Sequence, residues 1–349
     1  MYDNIRLIMQ EPFTSETERS DFISRFALFI KDEKKGVYHN KGYETLEQNR
    51  GIYMRLEAGT QIGAGRLVLS FSLHKFYNAM QGRKLINYNS FTFEEANEAS
   101  RMLSGLLRFD LSGAVVKKYE IGINVPTEKP PDVYMKELDY LEIKGRKVRI
   151  LEDSHYREYK QYSTNKDKGK RIVYIFYNKT YEARSKIKDE ARKCAVPANI
   201  LRMEMDVQRP SEKITFSRLF DTSFQAVLFY EFRRRFTLDL HYKELPIKAA
   251  GLTSKQAEVY SRIREYGAPA AVEYYKSLYQ RKVISRDQYR YAVSRIKAVR
   301  EKIAGLQVSI SPDAAYLSEQ IRGILTKKEV GNFPHPGIPI ISEAKRGNE

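Results

Sequence analysis

One cysteine, Cys194, stands in a chain of 349 residues, so neither an intramolecular disulfide nor a multi-cysteine metal site can form. Histidine is almost as scarce: His39, His74, His155, His241 and His335 are scattered, and no two form a His-hydrophobe-His pair. No stretch approaches the ~18–20 apolar residues that span a bilayer, and MYDNIRLIMQEPF has no basic region followed by an apolar run. These absences describe a chain expected to be soluble and cytoplasmic, in a reducing compartment, with no membrane partner.

What the chain has in excess is positive charge. It carries 61 Lys and Arg against 44 Asp and Glu, a formal charge of +17. Such a balance favours a polyanion, because each phosphate neutralised by a cation releases counterions. The 25 Tyr and 17 Phe point the same way, since rings interleaved with cations grip single strands by stacking, although most such rings are ordinarily core. The length leaves room for about two domains.

Along the chain, residues 1–64 give short strand-like pieces around polar loops and are expected to pack on the core. GRLVLSFSLHKF reads as a strand, FTFEEANEASRMLSGLLRF as a helix opened by Thr92 with Glu94 and Glu95 in its first turn, and AVVKKYEIGINV as a strand ending at Pro126. YLEIKGRKVRIL reads as a hairpin turning at Gly145. Beyond the polar run STNKDKGKR come the strand RIVYIFYN, a charged helix to about Lys193 and the strand ILRMEMDVQR. Residues 65–212 thus spell a split βαβ unit: an α+β fold with one antiparallel sheet, helices on one face and the other face open. A smaller all-helical domain over 213–326 follows, and residues 327–349 form a Gly- and Pro-containing tail expected to be disordered.

Successive strand side chains alternate between faces. Tyr119, Ile121, Ile123 and Val125 therefore oppose Glu120, Gly122 and Asn124, and Leu201, Met203, Met205 and Val207 oppose Arg202, Glu204, Asp206 and Gln208. With both apolar sets on the helices, Glu120 and Glu204 share the solvent face, and Tyr177 and Lys179 share a parity with Glu182 just beyond. Carboxylates gathered on one face repel unless a cation lies between them, and hard oxygen ligands without thiols select Mg²⁺ or Mn²⁺ over zinc. Taken singly, each acid is an ordinary solvated residue and Lys179 with Glu182 an ordinary surface ion pair. Their joint occurrence is the signal.

YNKTYE (177–182) followed by LRMEMD (201–206) resembles the Tyr-x-Lys-x-x-Glu and Leu/Val-Arg-Phe-Glu pair of rolling-circle replication initiators of the filamentous-phage gene II type. FSLHKFYNAMQGRKLINY resembles that family's Ser-x-x-Lys…Gly-x-Asn segment through Ser72, Lys75 and Gly82, with Lys84 in place of its Asn. KKYEIGINV stands where the family has Arg-Ile-Asp, with Glu120 for the aspartate, and Met203 replaces the Phe. The resemblance covers roughly residues 65–305. It implies a nicking and joining enzyme acting on single-stranded or origin DNA, in which a tyrosine attacks a phosphodiester, keeps the 5′ phosphate and frees a 3′ hydroxyl, with a host helicase and polymerase as further partners.

In that frame Tyr177 is the nucleophile, Lys179 stabilises the developing negative charge, Glu120 and Glu204 hold the metal, and Glu182 is a third ligand or a base. Tyr162, in the preceding polar loop, is the competitor of Tyr177; Tyr174 has the wrong parity, and Tyr181 falls in the first turn of a helix. Lys75, Arg83, Lys84, Lys117 and Arg202, with the 144–149 hairpin and the run 166–171, are the expected contacts to DNA backbone, and Arg202 also stands where it can pair with Glu204. In the helical part, Arg286, Arg290 and Arg295 lie on the last of three helices that read equally as a helix-turn-helix or as a plain basic bundle. A relaxase for transfer of an element has the same chemistry, and a noncatalytic single-strand binder the same charge. A tyrosine recombinase acting on duplex DNA is a third alternative, against which stands that no histidine is followed three residues later by arginine.

Overall fold

A computed structural model describes residues 2–40, 42–143, 146–149, 151–152, 159–163, 171–210, 212–243, 253–266, 268–304 and 310–326. The chain opens with strand β1 (Tyr2–Gln10), helix α1 (Glu16–Arg25), strands β2 (Phe29–Asp32) and β3 (Val37–His39), helix α2 (Tyr43–Gln48) and strand β4 (Tyr53–Glu57). Strand β5 (Arg66–Ser72), helices α3 (Leu73–Met80) and α4 (Phe93–Leu107) and strand β6 (Val115–Pro126) follow. Helix α5 (Pro131–Met135) leads to strands β7 (Leu138–Ile143), β8 (Arg146–Arg149), β9 (Leu151–Glu152), β10 (Tyr159–Ser163) and β11 (Arg171–Asn178). After helices α6 (Lys179–Ser185) and α7 (Glu190–Cys194) come strand β12 (Ile200–Gln208), helices α8 (Phe216–Leu219) and α9 (Thr222–Thr237) and strand β13 (Leu240–Tyr242). Helices α10 (Ser254–Tyr266), α11 (Ala268–Gln280), α12 (Arg286–Ala304) and α13 (Pro312–Thr326) end the described chain.

Local chemistry starts the helices. Thr92 and Glu95 close a reciprocal capping box on α4, which ends where Arg108 turns left-handed at φ 64°. Ser72 caps α3 by accepting from the Lys75 amide, and Asn178 caps α6 by accepting from that of Tyr181. The expected single charged helix to Lys193 is two short ones, α6 and α7, parted by residues 186–189.

The fold is α+β. Ten strands form one antiparallel sheet in the order β2-β3-β4-β5-β1-β6-β12-β11-β10-β9, and β13-β7-β8 form a second, small sheet. The N-terminal region does more than pack on the core: β1 enters between β5 and β6, and β2 to β4 extend the sheet beyond β5. Tyr162, expected in a loop, lies in β10, where its register partner is Tyr174; the partner of Tyr177 is Tyr159.

The apolar parity sets face the core as expected, with Ile121, Ile123, Val125, Leu201, Met203 and Met205 buried. Helix α4 closes over them with Phe93, Ala96, Ala99, Leu103 and Leu107 at helical spacing. The rings of Tyr174 and Phe176 meet Phe236 of α9 edge-on at 6.0 and 5.5 Å. The helical region is split, because α9 and α13 bury Phe232, Phe236, Leu317 and Ile321 in this same core, whereas α10 to α12 pack on one another around Val259, Ala271, Ile296 and Val299. Among the described residues no helix is long and apolar enough to cross a membrane. Residues 164–170 of the polar run, 144 and 145 of the hairpin turn, and the tail 327–349 lie outside the described residues.

Candidate active site

The second face of the sheet is polar but not open. Cross-strand register sets Glu120 opposite Asp206, Gly122 opposite Glu204 and Asn124 opposite Arg202, while Tyr177 on the next strand faces Arg202. Glu120 and Glu204 are each only 5% exposed, and Arg202 and Asp206 only 3%. The expectation of a solvated face therefore fails, because the segment after α3 lies across it. Asn124 donates its amide to the carbonyls of Asn87 and Asn89, both at 3.2 Å, and His74 of α3 stacks on Phe91 with centroids 4.5 Å apart.

The phenol and the acids converge. Tyr177 Oη donates to Glu204 Oε1 at 3.1 Å, and Lys179 Nζ lies 3.5 Å from the phenol oxygen. Carboxylate oxygens of Glu120, Glu204 and Asp3 all lie within 4.8 Å of one another. Strand alternation alone does not place Asp3 in this cluster. Alternation would turn it inward with Ile5, but the register between β1 and β6 shifts between Tyr2 and Ile5. Tyr2 and Ile5 both enter the core, and Asp3 is turned to the polar face.

Arg202 organises the acids. Its Nε donates to Glu204 Oε1 at 2.8 Å, one terminal nitrogen to Asp3 Oδ2 at 3.1 Å and the other to Asn124 Oδ1 at 3.2 Å. The guanidinium lies against Gly122, where a Cβ would meet three of its atoms at 2.8 Å, so a larger residue opposite Glu204 would displace Arg202. Expected at the DNA backbone, Arg202 is instead buried, with its three guanidinium nitrogens engaged inside the protein. Asp3 also accepts from Ser72 and, at 2.8 Å, from Asn87. Lys118 Nζ reaches Glu120 at 2.7 Å and Asp206 at 3.2 Å, and Asn4 donates to Glu120.

Electrostatics separates these groups. Burial pushes the Asp3 carboxyl up, but Arg202 and then Lys179 outweigh it and hold it at about 2. Glu120 is pushed up to about 7 by burial and by Glu204, against Lys118. Burial first and Glu204 second raise the Tyr177 phenol well above its ordinary range, keeping it a protonated donor. Burial lowers Lys179, against the pull of Glu182. Glu182, expected as a third metal ligand, is not among the clustered carboxylates: Lys179 takes one oxygen at 2.8 Å and Lys186 the other.

The donor set fits a hard divalent cation. All three clustered oxygens belong to carboxylates, with no thiol or imidazole among them. The four acids Asp3, Glu120, Glu204 and Asp206 face two cations, Arg202 and Lys118, leaving two formal negative charges. Asp206 Oδ1, buried beside Glu120, has no hydrogen-bond partner among the described residues.

The other expected DNA contacts are dispersed. Lys75 is half-buried in the first turn of α3, and Arg83 and Lys84 are exposed just after it, with Arg83 donating to Asn78 at 3.2 Å. Lys117 lines an open groove of about 680 Å³ with Ile8, Arg66 and Lys213, at the far end of β1 from Asp3. Arg286 and Arg290 are exposed on α12, and Arg295 lies 4.7 Å over the Tyr291 ring. Compared with protein-family models, with curated proteins and with solved structures, the chain matches none.

Proposed function

We propose that the chain is a DNA nicking and joining enzyme whose nucleophile is Tyr177. The observation that carries the reading is the phenol of Tyr177, hydrogen-bonded to one acid of a buried three-carboxylate cluster and 3.5 Å from a buried lysine. Tyr177 Oη attacks phosphorus and passes its proton to Glu204. The bond from phosphorus to the 3′ oxygen breaks on the opposite side, and that oxygen takes a proton from water. One phosphodiester is exchanged for another, so the bond is conserved and resealing needs no ATP. Free phenol is a poor nucleophile near pH 7, with an ordinary pKa of about 10. Lys179 Nζ is placed to stabilise the oxygen as it loses its proton, and Arg202 holds Glu204 in line to accept it.

A divalent cation on Asp3, Glu120 and Glu204 would supply Lewis-acid polarisation of a non-bridging phosphate oxygen. Lys75, Arg83 and Lys84, on and just after α3, are then the cations for the DNA backbone beside the cluster, and Lys117, at the far end of β1, would meet it farther along. Tyr162 is the weaker nucleophile, because its register partner is the core residue Tyr174 and not Tyr177.

The test is to incubate the full chain with randomised single-stranded DNA and Mn²⁺ and to run a denaturing gel. Wild type is expected to give a covalent protein–DNA band, Tyr177→Phe none and Glu204→Ala a strongly reduced one. Loss with Tyr162→Phe but not with Tyr177→Phe would move the nucleophile. Salt-sensitive binding with no band under any condition would make the chain a noncatalytic single-strand binder.

A further inference from the structure

The three helices α10 to α12 carry charge and rings that the chemistry at Tyr177 leaves unused. Residues 254–304 hold 12 Lys and Arg against 5 Asp and Glu, a balance of +7 within the chain's +17. Two of the five acids are paired along their own helices, Glu258 with Arg262 at 3.3 Å and Glu273 with Lys276 at 3.1 Å. From Tyr279 to Lys297, six cations face a single acid, Asp287. Arg281, Lys282, Arg286 and Arg290 among them are exposed. This stretch is the most one-sidedly basic surface of the module.

Rings stand among those cations. Tyr279 is 39% exposed and stacks on Tyr289 with centroids 5.5 Å apart and planes 15° from parallel. Tyr291 is 61% exposed, with the Arg295 guanidinium 4.7 Å from its ring centre. A tyrosine already backed by a second ring or a guanidinium has only two side-chain dihedral angles left to fix when a base stacks on it. That is the form of a stacking platform.

Groove reading of a duplex needs donors and acceptors that reach base edges. A π face can meet only an unpaired base, and cations beside it neutralise the phosphates that follow. We infer that the exposed side of the end of α11, the turn after it and the start of α12 grips single-stranded DNA, with bases stacked on Tyr279 at one flank of α12 and on Tyr291 at the other, and the backbone held by Arg281, Lys282, Arg286 and Arg290. The inference rests on the reading of the chain as a protein acting on DNA, but not on the tyrosine chemistry.

The test is a binding titration of the full chain in EDTA, by fluorescence anisotropy, against labelled oligothymidylate of about 16 nucleotides and against a duplex of the same length. The single strand is expected to bind more tightly than the duplex. Tyr279→Ala and Tyr291→Ala should each weaken it about tenfold, within the range measured for base stacking, and Tyr279→Phe should retain wild-type affinity because the ring remains. A Tyr279→Ala, Tyr291→Ala double variant that binds the single strand as tightly as wild type would overturn the inference, as would duplex preference insensitive to both rings. A covalent band combined with neutral ring variants would sink this grip and leave the nicking proposal standing. Ring-dependent binding with no band would do the reverse.

Discussion

Charge is gathered in two places in this molecule, and the two are built in opposite ways. On the polar face of the sheet, Asp3, Glu120, Arg202, Glu204 and Asp206 are buried, and each is in hydrogen-bond contact with named partners. In the turn after α11 and at the start of α12, Arg281, Lys282, Arg286 and Arg290 stand in water beside exposed rings. Burial converts charge into position, since each group must keep its partners or bear an uncompensated desolvation cost. Exposure keeps charge available to attract a polyanion over a distance that salt shortens. The first arrangement suits chemistry at one atom, and the second suits holding a long, flexible ligand.

Four substitutions or conditions would break or sharpen that contrast. The largest effect is expected from Arg202→Ala, which leaves Asp3 and Glu204 buried without their shared cation; a loss of about 3–5 kcal/mol should appear in chemical denaturation. A loss below ~1 kcal/mol would mean that Arg202 does not organise the acids. Gly122→Ala comes next, with an added Cβ 2.8 Å from the guanidinium, and should cost about 1–3 kcal/mol through the displaced Arg202. Retention of wild-type stability and Mn²⁺ affinity would show that the arginine has other room.

The third test uses pH. Because the Glu120 carboxyl is pushed up to about 7 in the folded state, the metal-free protein loses stability as pH rises from the ordinary carboxylate range through 7, where ionisation is easier in the unfolded chain. A cation competes with that proton, so its affinity should fall about tenfold per pH unit below 7. Calorimetric titration with Mn²⁺ should therefore show tighter binding at pH 8 than at pH 6, and a flat profile would remove Glu120 from the ligand set. The smallest effect is expected on α12: Arg290→Gln should leave the denaturation midpoint unchanged while lowering the salt slope of DNA binding by about one. A large stability loss there would erase the distinction between the two regions.

Parts of this were legible before any coordinates. Alternation in KKYEIGINV and LRMEMDVQ separated core from polar residues correctly, and the Thr92 start of α4 followed from its capping pattern. Tyr177, Lys179 and Glu204 were singled out together, and they are together. Other parts were not legible. Asp3 was hidden by a bulge that breaks the alternation used to sort faces. Glu182 reads in sequence as a third ligand or a base, but it lies outside the acid cluster and two lysines occupy its oxygens. The pairing of Arg202 with Glu204 was legible on the strand face they share, but not its burial, which Gly122, Asn124 and Asp3 complete from β6 and β1. The 213–326 segment looked uniform, because an amphipathic helix does not say against which neighbour its apolar stripe will close.

By itself, the order of residues determined which side chains share a face of each strand, where helices begin, and that the chain carries a large surplus of positive charge. Those properties depend on neighbours a few positions apart and on counting. Only tertiary structure decided that the polar face is buried, that an aspartate three residues from the start completes its acid cluster, and that three of the later helices stand apart from the core. Those outcomes depend on strands and loops distant in the chain arriving at the same place, and periodicity within a segment holds no record of what will cover it.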